Sequence, residues 1–537
     1  MIKKILNNQS RSIASAAVIL GAASLVSRLL GLIRDRVLAG QFGAGDELDI
    51  YYAAFRIPDL VYSLLVAGAI SAGFIPIFID YLNKGKSEGN SDHWYLANSV
   101  LNIMTVSLIV ICALAAIFTF SLVRLVAPGF NPDKLAATVE LTRVMFLAPV
   151  FLGLSAVLGG ILQSFRRFFV YSLGPIMYNL GIIFGALVLV KYYGLLGLSY
   201  GVVIGAFWHM AIQIPAAYMC GFRWKPVFDF RFKGVRRILK VMPPRVLSLT
   251  LTHINFWIMT IMASFLAIGS IAIYNLAHNI WSFPLGIFGI SFVLAAFPML
   301  SETAQKNDLA NFVKTFSLTA RQILFFTLPA MIFFVVLRAQ IVRVILGTGR
   351  FDWQDTVLTL ETLAFFSIAL FSEALILLIL RGFFAWEDTK TPLLIGLIST
   401  VIRLSLAWFF SRSLGVPGLA LGFSIGSLIY FFLLFIALRK KIGVLDEVRI
   451  FVSGMKMLFA SLGAGIAAYI FLNLLAPLVN MNTGLGVFTQ GFLAGVAGIL
   501  IYFLLAWLLR LNELNLFLSS LFNRLPWKEV EVRPENP

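Results

Sequence analysis

Charge is scarce in this chain. Asp, Glu, Lys and Arg make up 12% of its 537 residues, against about 25% in an average soluble domain. Set beside a hydrophobic share of 60%, that shortage excludes a soluble globular protein and requires a polytopic membrane protein. Cysteine is nearly absent: Cys112 and Cys220 both lie in apolar runs, too few for a disulfide framework. His93, His209, His253 and His278 are scattered, so no metal site is expected, and His253 reads as an interior residue rather than a proton carrier. There is no Walker loop, no H-E-x-x-H and no G-x-S-x-G with a plausible His and acid partner. The chain is therefore not expected to be an enzyme, and no cofactor is implied. Acidic residues are the scarcer sign, which leaves a net charge of +17. The excess sits in loops, as membrane orientation requires, so it does not indicate nucleic acid.

Long apolar runs are what the chain has in abundance. At about 20 residues per span, the pattern predicts an all-α protein of about 14 transmembrane helices, from 12–33 to 484–510. With the N-terminus cytoplasmic, most Lys and Arg fall on the inner side, and both termini are expected there. The strongest basic block is residues 223–240, RWKPVFDFRFKGVRRILK.

The chain also repeats itself. A shift of 223 residues aligns Phe42 with Phe265, Tyr51 with Tyr274, Ala54 with Ala277 and Phe74 with Phe297. A shift of 221 aligns GLLGLSYGVVIGA (194–206) with GVPGLALGFSIGS (415–427), keeping four glycines in register. Six helices per copy is an even number, so the two copies insert in the same orientation, as in transporters with two lobes around a central site. Glycines at helical spacing allow close helix approach. The expected organisation is an N-terminal lobe (1–222), a basic cytoplasmic linker (223–240) and a C-terminal lobe (241–441). Two extra helices (442–512) and a cytoplasmic tail (513–537) complete it.

Function is expected in the stretch after Ser24, which joins two apolar segments yet carries Arg28, Arg34, Asp35, Arg36, Asp49 and Arg56. A charge at membrane depth costs about 2.5 kcal/mol or more, so such residues face a protein interior or a wet cavity. Arg28 can hold a phosphate through forked hydrogen bonds, or it can snorkel at a helix end. Arg34-Asp35-Arg36 reads as cavity lining or as a local ion pair at the outer boundary. Asp49 follows the turn GAGDEL, where the helix dipole stabilises it; the alternative is a partner for Arg28 or Arg56. Arg56 precedes Pro58, whose irregularity would aim it inward. In the second copy Asn279 stands where the shift puts Arg56. Glu373 and Arg403 are further intramembrane charges, read either as functional groups or as a mutual pair.

SRLLGLIRD (27–35), FGAGDELDIYYAAFRIPDL (42–60), GAISAGFIPIF (68–78), APGF (127–130), QSFRRF (163–168), SFPLGIFGISFVLAAFP (282–298) and DTKTP (388–392) resemble the MurJ/MviN lipid II flippases of the MOP exporter superfamily. The resemblance runs over nearly the whole chain in order and spacing. It implies two six-helix lobes, a cationic central cavity and a groove between the last two helices for a polyprenyl tail. It also implies a bacterial inner-membrane location. The implied substrate is lipid II, an undecaprenyl-pyrophosphate-linked disaccharide-pentapeptide moved to the outer leaflet. Membrane lipids and cell-wall synthesis proteins are the other implied partners. Arg28, Arg34 and Asp49 match family residues, and Arg56 falls where the family carries a basic residue. Two family arginines are replaced, by Ser63 in helix two and Asn279 in helix eight. Some members have a sodium site with a helix-seven aspartate, but helix seven here (243–265) has no carboxylate. The resemblance then leaves Arg28, Arg34 and Arg56 to carry the phosphate contacts. A flippase for another polyprenyl-pyrophosphate glycan, of O-antigen type, shares this logic. A degenerate scaffold docking partners through 223–240 is the non-transporting alternative. A drug exporter of the MATE type would favour an acidic cavity instead.

Overall fold

The computed structural model describes residues 13–67, 73–88 and 92–522, and every regular element among them is helical. Backbone groups in hydrocarbon must be satisfied within the segment, which a helix achieves and an open strand does not. Ten described helices are long and apolar enough to span a membrane, or eleven if Trp353–Ile368 and Leu370–Ala385, bent by 42°, count as one span. Ile13–Phe42, Asp46–Tyr62 and Lys233–Ser264 fall outside that count, and parts of the first and last lie outside the described side chains.

The internal repeat is visible in the backbone. Asp46–Tyr62 runs into a widened π-helical turn at Ser63–Ala67, and Ser270–Pro284 runs into another at Leu285–Gly289. Both starts and both widened turns lie within one residue of the 223-residue shift. Such turns insert an extra residue into the helical ladder and recur at functional sites.

The shared glycines do the same work in both copies. A Cβ on Gly201 would lie 2.5 Å from Gly185 Cα, and one on Gly181 would overlap Gly205. In the second copy a Cβ on Gly422 would overlap Ala407, and one on Gly418 would overlap the Phe410 carbonyl. Lipid tails are as apolar as leucine, so this close packing, rather than water exclusion, holds the helices together.

By compactness the chain divides into Met1–Leu276 with Ile345–Asp355, and Ala277–Val344 with Thr356–Pro537. The core of the first gathers Phe74, Phe78, Leu96, Leu108 and Ile161. That of the second gathers Phe312, Phe316, Phe325, Phe383 and Leu438. Within the first unit the basic segment is pinned to the Asp92–Ile117 helix. Asn98 donates to the Arg223 carbonyl at 3.0 Å, and Asn102 to those of Lys225 and Val227 at 2.7 and 3.0 Å. Residues 345–355 close over the GAGDEL turn. There Arg350 N–H donates to the Gly40 carbonyl (2.9 Å) and Ala44 N–H to Asp355 Oδ2 (2.8 Å).

Candidate functional site

The cationic stretch occupies the first compact unit. Arg28 is partly buried and makes no hydrogen bond or ion pair among the described residues. Arg34, two turns on, forms the expected local pair: its Nη2 and Nε donate to Asp35 Oδ1 at 2.8 and 3.0 Å. It also reaches across to Asn179 Oδ1 at 3.1 Å. Arg36 donates to the Ile345 carbonyl at 3.4 Å.

Asp49 is 3% exposed and fully occupied. Its Oδ2 accepts from Lys134 Nζ at 2.7 Å and from Gly269 N–H at 2.9 Å, and its Oδ1 accepts from Ala272 N–H at 2.9 Å. A partner among Arg28 or Arg56 was the alternative expectation; the cation is Lys134 instead. The reason is local. Asn131 caps the Pro132–Met145 helix by accepting from Lys134 N–H at 2.8 Å, which fixes the lysine in that helix's first turn. Lys134 also pairs with Asp46 at 2.6 Å. Asp49 thus sits in the first turn of its own helix and supplies the missing acceptor for the orphan N–H groups at the start of the Ser270–Pro284 helix. One of those donors, Ala272, is the residue that the 223-residue shift places on Asp49. Gly269 takes φ +85°, and a Cβ there would overlap the Ala44 carbonyl, so glycine is required at this turn.

Arg56 points inward, but every direct partner is neutral. Nε donates to Thr260 Oγ1 at 2.8 Å and Nη2 to Asn275 Oδ1 at 2.7 Å, and the guanidinium lies over the Phe256 ring at 5.5 Å. Asp59 is exposed and lies within electrostatic reach of Arg34 and Arg56. It lines a cleft with Phe55, Pro58, Tyr62, Pro149 and Tyr178 whose volume of about 10 Å³ admits at most one water. The Ser63 hydroxyl donates to the Asp59 carbonyl of its own helix at 2.8 Å.

Asn279, Glu373 and Arg403 lie in the second unit. The Asn279 carbonyl accepts from the Ser282 hydroxyl at 2.9 Å. Glu373 and Arg403 form the mutual pair. Arg403 Nη2 donates to Glu373 Oε1 at 2.9 Å, and Ser427 bridges the two at 2.6 and 2.9 Å. The guanidinium stacks on Phe423 at 4.5 Å. The side chain of His253 lies outside the described residues. No group of three or more His, Cys, Asp or Glu able to hold a metal occurs among the described residues.

Sequence reasoning did not pick out Lys134, Asn179, Thr260, Asn275 or Asp59. Each except Lys134 is a polar residue in an apolar helical run (PIMYNLG, FWIMTIM, IAIYNLA, FRIPDLV), a signal that can be read without a structure. Lys134 lacks that signal, because a lysine in a helix's first turn after a capping Asn and Pro is ordinary.

An all-helical chain with a repeated helical plan and charges buried at membrane depth belongs to the class of multi-pass helical transporters. A family model described as lipid II flippase MurJ matches residues 38–488. The chain belongs to that family. It is 30% identical over 418 residues to a "Probable lipid II flippase MurJ" of Rickettsia prowazekii, covering 77% of this chain and 81% of that protein. It is 27% identical over 501 residues to one of Buchnera aphidicola subsp. Acyrthosiphon pisum, covering 93% and 97%. Among solved structures, a lipid II flippase MurJ in an inward closed conformation shares the fold. Its TM-score is 0.75 at 23% identity, covering 94% of this chain and 100% of that one. An inward-facing MATE transporter of the MOP superfamily shares it at 0.66 and 15% identity, covering 80% and 99%.

Proposed function

We propose that this chain is a lipid II flippase, carrying the polyprenyl-pyrophosphate-linked precursor from the inner to the outer leaflet. The observation that carries the reading is the family match across residues 38–488. The chemistry agrees with it. A pyrophosphate cannot cross hydrocarbon without counter-charge, whereas the apolar tail can stay in lipid. In this reading Arg28 makes the first phosphate contact, being a cation at membrane depth with no competing partner among the described residues. Arg56, whose direct hydrogen-bond partners are neutral, is offered to the same task, and Arg34 contributes the N–H groups of Nη1 and Nη2 left over from Asp35 and Asn179. Asp49 orders the helix starts rather than meeting substrate, and Ser63 and Asn279 mark places where the headgroup meets no charge. Glu447–Leu475 and Gly484–Leu508 would offer the tail its groove, and their exposed Ile466, Tyr469, Phe488 and Phe492 support that role. Transport would proceed by alternating access, with both termini and the 223–240 segment on the cytoplasmic side.

A flippase for a different polyprenyl-pyrophosphate glycan is the second reading, supported by Ser63 and Asn279 in place of two family arginines. Complementation decides between them: the gene is expressed in a bacterium depleted of its own lipid II flippase, and lipid II is assayed on the outer face. Rescue with lipid II exposure is expected. Failure despite confirmed insertion in the membrane would move the assignment to another lipid-linked glycan or to a scaffold.

A further inference from the structure

A cavity in the second unit has no part in the transport reading above. It measures about 630 Å³ and is lined by the first turns of Leu309–Val336, by the 442–446 connection and by the start of Glu447–Leu475. Both helices are of membrane-spanning length and composition, so a cavity at their N-terminal ends lies at a membrane edge. The neighbouring Arg439, Lys440 and Lys441 mark that edge as the cytoplasmic one.

Three cations line the cavity: Lys314, Arg321 and Arg449. Lys314 and Arg449 are exposed and make no ion pair among the described residues. Arg321 is 5% exposed; its Nη1 pairs with Glu513, while its Nε is buried with no hydrogen-bond partner. The acidic groups are Asp446, tied to the Ser317 hydroxyl at 2.6 Å, and Glu513 behind Arg321. Three lining cations against these two carboxylates leave an excess of +1; at the same helix starts Asp308 caps the first helix by accepting from Asn311 N–H, and Glu447 is paired with Arg439. A buried guanidinium edge without a partner costs free energy unless an acceptor arrives. Leu309, Leu318 and Val444 are exposed at the rim, which suits acyl and glycerol carbons and does not suit a free hydrated anion.

We propose that this cavity is a binding site for the phosphodiester headgroup of an anionic phospholipid of the cytoplasmic leaflet. Lys314 and Arg449 flank the phosphate, Arg321 Nε donates to it from below, and the apolar rim takes the glycerol end. A lipid seated there ties together the helices that begin at Leu309 and Glu447. Through Arg321 and Glu513 it also reaches the Asn512–Phe522 helix.

The test uses the full chain purified in detergent, with phosphatidylglycerol and phosphatidylcholine added in turn and retained lipid counted by native mass spectrometry. The parent is expected to retain phosphatidylglycerol in preference to phosphatidylcholine. A cation near an anionic surface is worth about a factor of five, so Lys314→Gln with Arg449→Gln should weaken retention about 25-fold. Both side chains are exposed, and an unchanged melting temperature confirms the fold; the single variants serve if the double variant does not express. Equal retention of the two lipids, or an unaltered preference in the double variant, overturns the proposal. Displacement of phosphatidylglycerol by millimolar inorganic phosphate would also overturn it, assigning the cavity to a free anion.

Discussion

Arg403 in the second compact unit and Arg28 and Arg56 in the first are held in different ways. In the second, Arg403 pairs with Glu373 through Nη2 with Ser427 bridging, and Phe423 lies over the guanidinium, while its Nε is buried without a partner among the described residues. In the first, Arg28 has no partner among the described residues, and Arg56 has only neutral hydrogen-bond partners among them. A paired buried charge is electrically finished. Its worth is structural, and an apolar pair of similar shape could often replace it without loss. A buried cation held by neutral dipoles is stabilised in place yet still carries its field, which an arriving anion can use. The repeat therefore supplies one helical plan twice, and the side chains give the two copies different tasks.

Four sets of substitutions test that contrast and the pairs around it. Arg28→Ala should have the largest effect, abolishing complementation and outer-face lipid II while leaving membrane expression intact; unchanged transport would remove Arg28 from the substrate path. Next comes the Glu373–Arg403 pair. Arg403→Met alone strands a carboxylate whose side chain is 18% exposed and should cost about 2 kcal/mol in stability. The double variant Glu373→Gln with Arg403→Met should recover most of the melting temperature and support transport. Loss of transport in a stable double variant would show that the second unit's charges are functional after all.

Lys134→Ala leaves Asp49 with two backbone donors but no cation. We expect a loss of about 2–3 kcal/mol, read as a lower melting temperature, with Asp49→Asn on top restoring part of it. An additive double variant would mean that the two groups do not act as a pair. The smallest effect belongs to the DTKTP motif. Burial pushes the Asp388 carboxyl up, but Lys441 at 2.8 Å and the Thr391 N–H and hydroxyl more than offset it, bringing the pKa to about 2. Because the folded value lies below the unfolded one of about 3.9, the contribution is present above pH 4 and is lost as pH falls through 2. The site is solvent-screened, so Asp388→Asn should cost less than about 1 kcal/mol. The difference from the parent should vanish in acid.

The membrane class, the helical make-up and the repeat were legible because hydrocarbon imposes them directly on composition. Apolar length, loop charge and glycine spacing are one-dimensional signals, and the glycine row 197–205 and its copy 418–426 kept their meaning at close helix contacts. The charged stretch could be located in the same way, since a charge in an apolar run is conspicuous wherever it ends up. What the sequence by itself determined was which residues could not sit in lipid. Only the tertiary structure decided what each met there. It chose Lys134 for Asp49, Asn179 for Arg34 and Asn275 for Arg56, partners 85, 145 and 219 residues away. The physical reason is that a buried charge must be solvated by something, while chain separation leaves no trace of what. The partner is set by where helices cross, and that depends on the packing of the whole lobe.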